Sequence, residues 1–247
     1  MTKRKPSRSR PVQGELPLLK GTRGGWRPGA GRKAGPKPRV RHRSREPFRS
    51  AHPCLVTLKV RSGIASLRRP DVVREVEDGF RRGCARASRE RFRLAHYSIQ
   101  GNHLHAIVEA EGTDALGRGM MSVAIRFARA VNRALGRRGR VLEDRYHVRV
   151  LGTPLQVRNA VRYVLLNARR HAAKLRRNKK LPGPVRLDPA SSARWFDGWR
   201  PGVAREDPPA AFGLRVTPAV SRPRTWLLRK GWRRRGLLDP GDVPGTV

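Results

Sequence analysis

The chain has 247 residues, with 57 Lys and Arg against 18 Asp and Glu, a formal charge of +39. Charge of that size on so short a chain implies a polyanion as partner, with nucleic acid the first candidate. No apolar run reaches the roughly 18 residues a membrane span requires, and no clean basic amphipathic helix is present to lie on a bilayer, so membrane binding is not expected.

In chain order, residues 1–50 carry sixteen Lys and Arg against Glu15 and Glu46, among many Gly, Pro and Ser. So little apolar surface cannot offset the entropy of ordering a chain, and a disordered basic arm is expected. Within it, the stretch Gly24 to Lys33 sets Arg27, Arg32 and Lys33 on a glycine-rich backbone narrow enough to enter a minor groove. The N-terminus shows no apolar signal core, so the chain is expected to remain in the cytoplasm, and its charge makes association with the nucleoid the expectation there. Cys54 and Cys84 show no Cys-x-x-Cys spacing and read as buried thiols.

Residues 51–175 hold the periodic apolar patterns and form the expected catalytic domain, about 125 residues, an ordinary single-domain size. Cys54 to Val60 reads as a strand, and Asp71 to Ala87 as a helix with Val72, Val73, Val76 and Phe80 at helical spacing. Two strands follow on either side of Gly101-Asn102, a turn dipeptide that supports a hairpin. In the first of them Leu94, His96 and Ser98 share one face, opposite Ala95, Tyr97 and Ile99. A longer helix runs from Asp114 to Leu135, and Val141 to Val150 is a charged strand region. Thr153-Pro154 supplies an N-cap and a first-turn proline for a last helix reaching Ala173. The order strand, helix, strand, strand, helix, strand, helix predicts an α+β fold with an antiparallel sheet. Residues 176–247 form a basic C-terminal extension, in which Trp195, Trp199, Trp226 and Trp232 lie among prolines and arginines. Those tryptophans can stack unpaired bases, but a small satellite core is the expected use of at least two.

Two positions carry chemistry. His103 and His105 flank one apolar residue on a strand, so both imidazoles project to the same face, roughly 6 to 7 Å apart at the backbone. Fifty-eight residues after His105 stands Tyr163, with Asn167 at i+4 on the same helix face. A two-histidine strand and a helical tyrosine are what a metal-assisted tyrosine attack on a DNA phosphate requires. The plainer readings are sheet histidines and a core aromatic. Glu109, His147 and Asp144 are alternative ligands. Tyr97 sits in a packing pattern and Tyr146, between Arg145 and His147, is placed on DNA together with Arg145.

Asn102-His103-Leu104-His105, Met120-Met121 on a helix leading to Val131-Asn132, Glu143-Asp144-Arg145-Tyr146, and Tyr163 with Asn167 together resemble the REP-associated tyrosine transposases of the HUH single-strand DNA transposase superfamily. The resemblance covers about residues 51–173. It implies a ferredoxin-like HUH fold, a divalent cation (Mg²⁺ or Mn²⁺) and a tyrosine that becomes joined to a DNA 5′ phosphate. Carried over, His103 and His105 are metal ligands, Tyr163 the nucleophile and Asn167 the third ligand. The family commonly follows that asparagine with a proline and an Arg-Ala-Gly stretch, whereas Asn167 here precedes Ala168-Arg169-Arg170-His171, which predicts an unbroken helix. Lys174, Arg176, Arg177, Lys179 and Lys180 extend it as a basic ridge for DNA. The expected partner is single-stranded or hairpin DNA, with the protein a monomer or homodimer.

A phosphodiester resists attack because its oxygens are anionic; a cation on a non-bridging oxygen lowers that barrier and orients the group. Phenols ionise near pH 10, so the nucleophile needs a base, a cation or an arginine field. Attack frees a 3′ hydroxyl and conserves bond energy, so a second strand can rejoin the DNA without ATP. A replication initiator or relaxase-like nickase would use the same chemistry, and a non-catalytic basic nucleic-acid binder would explain the charge alone.

Overall fold

A computed structural model of the protein describes residues 47–84, 91–175, 185–202, 205–206 and 212–245. Arg27, Arg32, Lys33, Arg176 and Arg177 lie outside them. Strand β1 (Cys54–Lys59) leads to helix α1 (Pro70–Cys84), the hairpin β2 (Phe92–Ile99) and β3 (His103–Ala110), helix α2 (Thr113–Ala134) and strand β4 (His147–Val150). The strands pair antiparallel in the order β2-β3-β1-β4. That connectivity is the ferredoxin-like βαββαβ arrangement, an α+β fold with helices packed on an antiparallel sheet.

Alternation divides the sheet into two faces. Cys54, Val56 and Leu58 of β1 and Leu104, Ala106 and Val108 of β3 turn to one side, where they bury against Val72, Val73, Val76 and Phe80 of α1 and Leu116, Met120, Val123, Phe127 and Val131 of α2. These helical residues recur at three- and four-residue spacing, so each helix presents one apolar stripe to the sheet. Tyr97 is fully buried on this side and its hydroxyl donates to Glu77 Oε1 at 2.6 Å.

The other face carries His103, His105, Ile107 and Glu109. Helix α3 (Pro154–Leu165) covers its middle, with Val157, Ala160, Val161 and Val164 packed in one cluster with Ile107 and Ala95. Thr153 caps α3 as its sequence requires: Oγ1 accepts from Gln156 N at 3.2 Å, while Gln156 Oε1 reaches back to Gly152 N at 2.8 Å.

The expected unbroken helix to Ala173 is broken. Leu166 leaves helical geometry at φ −110° and ψ 15°, and a separate helix α4 (Asn167–Leu175) begins after it. Tyr163 and Asn167 therefore belong to different helices. The face assignment in β2 also changes: pairing slips between Leu94 and His96, so Leu94 faces Val108 and His96 faces Ile107. The bulge puts Leu94 in the α1/α2 core while Ala95 and His96 both serve the α3 side. The strand read as Val141 to Val150 reduces to an isolated bridge of Leu142 with Val60 and the four residues of β4.

Apolar residues of the extension add to the core rather than ending with it at 175. Leu187, Ala193, Phe196, Trp199, Leu227, Leu228, Trp232 and Leu238 join α3 in the second cluster. A 3-10 turn (Ser192–Trp195), helix α5 (Trp226–Arg229) and a second 3-10 turn (Gly231–Arg235) carry most of them. Trp199 and Trp232 are buried, Trp195 half-buried and Trp226 exposed. Ion pairs lock the extension to α1 and the connection before it: Arg68 grips Asp188 at 2.7 and 3.0 Å, and Arg194 meets Glu77 at 2.6 Å. No described helix is long and apolar enough to cross a membrane.

Candidate functional site

Strand alternation brings the two histidines together and the α3 packing sets the tyrosine over them. His103 Nε2 lies 3.0 Å from His105 Nε2, and the Tyr163 hydroxyl lies 3.2 Å from the same His105 nitrogen. The rings meet edge to face, His103 on His105 at 4.5 Å between centroids and His105 on Tyr163 at 5.0 Å. Three side chains from two elements thus converge on one point at the edge of the second core.

The far nitrogens fix the rings. His103 Nδ1 faces Asn102 Oδ1 at 2.8 Å, and His105 Nδ1 faces Thr57 Oγ1 at 2.9 Å across the β1–β3 pairing, in which Thr57 is level with His105. An amide oxygen only accepts, so in this arrangement His103 Nδ1 carries the proton and its Nε2 offers a lone pair. Thr57 Oγ1 can accept or donate: where it accepts, both Nε2 lone pairs point at each other and a proton or a cation between them relieves the opposition, and where it donates, His105 Nε2–H can donate to His103 Nε2. Burial is the main cause that lowers both histidine pKa values. His105 falls to about 3, helped by the charges of His103, His171 and Arg170; His103 falls under the further influence of His171 and Lys59. Both rings are neutral at pH 7, the form that ligates metal.

The separation suits a shared cation. Two nitrogens each about 2.1 Å from a metal and about 90° apart stand about 3.0 Å from one another, by the bond lengths of imidazole sites. Asn167 opens α4 one turn beyond Tyr163, is fully buried, and has neither Oδ1 nor Nδ2 in a hydrogen bond. An unpaired buried amide costs about 1 to 3 kcal/mol, so this one calls for a partner that the protein itself does not supply. Among the described residues no group of three His, Cys, Asp or Glu could hold a metal, so a cation here would complete its shell with amide, hydroxyl, phosphate or water oxygen.

The other expected residues fall elsewhere. Glu109 shares the histidine face but is no ligand: its carboxylate accepts from Arg224 N, Thr225 N and Thr225 Oγ1. His147 is level with Thr57 and so lies on the same face one strand beyond it, exposed, without a contact to the pair. Tyr146 is half-buried against the α1/α2 core, and Arg145 is exposed beside it. Lys174 lies in the last turn of α4. Sequence reading missed Thr57 and Arg170, whose guanidinium carbon lies 5.6 Å from the centre of the Tyr163 ring. The signal for Thr57 was its alternation with apolar Val56 and Leu58, which put it on the second face; the signal for Arg170 was its seven-residue spacing from Tyr163.

Among solved structures the chain is similar to a REP-associated tyrosine transposase bound to a REP hairpin. The likeness covers 53% of this chain and 74% of that one, at 16% identity and a TM-score of 0.42. No protein-family model and no curated protein matches the chain. So distant a likeness leaves the function to be argued from the residues themselves.

Proposed function

We propose that the protein is a DNA strand transferase that cuts and rejoins single-stranded DNA through Tyr163, as a transposase or a domesticated relative would. The observation that carries this reading is the Tyr163 hydroxyl held 3.2 Å from an imidazole nitrogen that is itself opposed by a second neutral histidine. A core tyrosine needs no such partner, and a structural histidine pair needs no nucleophile. The charge of +39 supplies the affinity for a phosphate backbone.

The chain's residues divide the work. His103 and His105 would hold a divalent cation, with Asn167 as the candidate third ligand; when bound, that ion would neutralise a non-bridging phosphate oxygen and orient the group for in-line attack. Asn102 Oδ1 sets the tautomer of His103, and Thr57 orients the His105 ring. Tyr163 oxygen bonds to phosphorus as the P–O3′ bond breaks, and the phenol's proton is finally carried by the departing 3′ oxygen. Arg170, above the phenol ring, places positive charge where the phenolate develops. One phosphodiester becomes one phosphotyrosine ester, so a 3′ hydroxyl can reverse the step.

The test is attachment of a 5′-labelled and a 3′-labelled single strand to the protein in Mn²⁺, read on a denaturing gel. Only the 3′-labelled strand, which retains the segment beginning at the new 5′ phosphate, should move with the protein, and Tyr163→Phe should abolish the band while binding stays within about twofold, because one oxygen is removed from a preserved ring. Attachment that survives in Tyr163→Phe removes this tyrosine from the chemistry. No attachment by the wild-type protein to any hairpin or single strand would favour the non-catalytic binder.

A further inference from the structure

The C-terminal extension presents Trp226, the one exposed Phe, Tyr or Trp among the described residues. From Arg224 to Arg235, six of twelve residues are Lys or Arg and none is acidic. The fold sorts them. Leu227, Leu228 and Trp232 turn inward to the second core, which leaves Trp226, Arg229, Lys230, Arg234 and Arg235 at the surface. Of the six cations, Arg233 has an ion pair among the described residues, with Asp197 at 2.6 Å; the other five are exposed. Like charges crowded on a fixed turn repel one another, and a bound polyanion relieves that repulsion.

The turn is held, not loose. Glu109 accepts from Arg224 N, Thr225 N and Thr225 Oγ1, and the same hydroxyl accepts from Leu228 N at 3.3 Å. Gly231 abuts the edge of the Trp226 ring: a Cβ there would stand 2.6 Å from Cζ3 and 2.8 Å from Cε3, so the second 3-10 turn seats the indole as no larger residue would allow. Arg234 stands over the ring, its Cζ 5.1 Å from the centre. Trp226 is still 48% exposed. A lone exposed aromatic is ordinary, but one seated in place amid five exposed cations has both elements of single-strand binding, a π face for a base and charge for its phosphates. Glu109 lies four residues along β3 from His105 on the same face, so the anchor of α5 is about 14 Å from the histidine pair along the sheet.

We infer that this turn is a second holding point for the DNA strand, at which one unpaired base stacks on Trp226 and the phosphates beside it meet Arg229, Lys230, Arg234 and Arg235. The inference rests on the reading of the chain as an enzyme of single-stranded DNA but draws on none of its chemistry. An anionic membrane also attracts tryptophan and basic residues, yet α5 is a single turn whose two leucines are buried, so no apolar face remains to enter a bilayer. A duplex would meet the cations and leave the indole without a base to stack on.

The experiment titrates the full chain, without added metal, with a fifteen-residue thymidine strand and with a fifteen-pair duplex. Trp226→Ala should weaken the single strand about 5- to 100-fold, the range for one stacked base, and the duplex by less than about twofold. Replacing Lys230 and Arg235 by Gln should lower the single-strand slope of log affinity against log salt by about 1.4, two phosphate contacts at about 0.7 each. Irradiation of the wild-type protein with a strand carrying 5-iododeoxyuridine should yield a cross-linked peptide that contains Trp226, a readout that needs no variant to fold. A bound strand that cross-links only elsewhere overturns the assignment, and so does a Trp226→Ala protein that weakens strand and duplex alike. Loss of affinity for phosphatidylserine vesicles in Trp226→Ala, with strand affinity kept, would give the turn to a membrane instead. Metal and Tyr163 take no part in these measurements. A cross-link at Trp226 without covalent attachment through Tyr163 would keep the holding point and remove the strand transferase; attachment with strand affinity unchanged in Trp226→Ala would do the reverse.

Discussion

Replacing Glu109 by Ala should cost far more than an ordinary strand substitution. Its carboxylate is 2% exposed and accepts from Arg224 N at 3.1 and 2.9 Å, Thr225 N at 2.8 Å and Thr225 Oγ1 at 2.7 Å. The same Thr225 hydroxyl accepts from Leu228 N and so caps α5, whose Leu227 and Leu228 pack in one cluster with Val161 and Val164 of the tyrosine helix. Truncation leaves two backbone N–H groups and one hydroxyl without their acceptor. Hydrogen bonds to a charged group contribute about 1.5 to 3 kcal/mol each, and partial access of water recovers some, so a loss of about 3 to 5 kcal/mol is expected. Glu109→Gln keeps one acceptor oxygen and should lose about 1 to 2 kcal/mol. Urea unfolding followed by tryptophan emission suits the question, because Trp195, Trp199, Trp226 and Trp232 all sit in the anchored extension. A Glu109→Ala protein within about 0.5 kcal/mol of wild type, the range of an unremarkable surface change, would show that the extension is held by its apolar contacts alone.

Thr57→Val keeps the shape of β1 but removes the partner of His105 Nδ1; Mn²⁺ affinity should fall about 10- to 100-fold, as for other supports of a ligating imidazole, and Thr57→Ser should restore it, as calorimetric titration would show. His96 has a folded pKa of about 4 against the ordinary 6.5, so the unfolded chain takes the proton first as pH falls. Its stabilising contribution is complete above pH 6.5 and is lost towards pH 4, about 3 kcal/mol at the limit. His96→Phe should therefore flatten the acid side of a stability-against-pH curve by up to one proton, and an identical slope in the two proteins would refute the shift. Deleting residues 1–50 removes sixteen cations; DNA affinity and its salt slope should both drop while single-turnover cleavage at saturating strand persists, and lost cleavage at saturation would place the arm in the active site.

The parts of this molecule that are set by neighbours in sequence were legible before the structure, and the parts set across elements were not. The capped start of α3 follows from Thr153-Pro154, the hairpin from Gly101-Asn102, and the convergence of His103 with His105 from strand alternation alone. The break at Leu166 has no local marker: Leu-Leu-Asn-Ala-Arg-Arg contains neither Gly nor Pro and propagates a helix by propensity. What accompanies it is tertiary. Leu166 and Asn167 are both buried, and Arg162 and Arg169 on either side reach the Val243 and Gly241 carbonyls at 3.1 and 3.2 Å. The bulge in β2 is hidden in the same way, because Leu94 and His96 alternate correctly for a regular strand; only two cores on opposite faces make it worth disrupting the ladder there. The extension conceals its apolar residues at irregular spacing among arginines, and periodicity cannot find residues whose partners lie on another element. Thr57 illustrates the limit most sharply. It meets His105 only because β1 and β3 pair Val56 with Ala106, and a slip of one residue would turn the hydroxyl to the opposite face. Nothing in either strand alone sets that offset; burial of Cys54, Val56 and Leu58 against α1 and α2 does, so the orientation of the candidate metal ligand is determined by packing on the far side of the sheet.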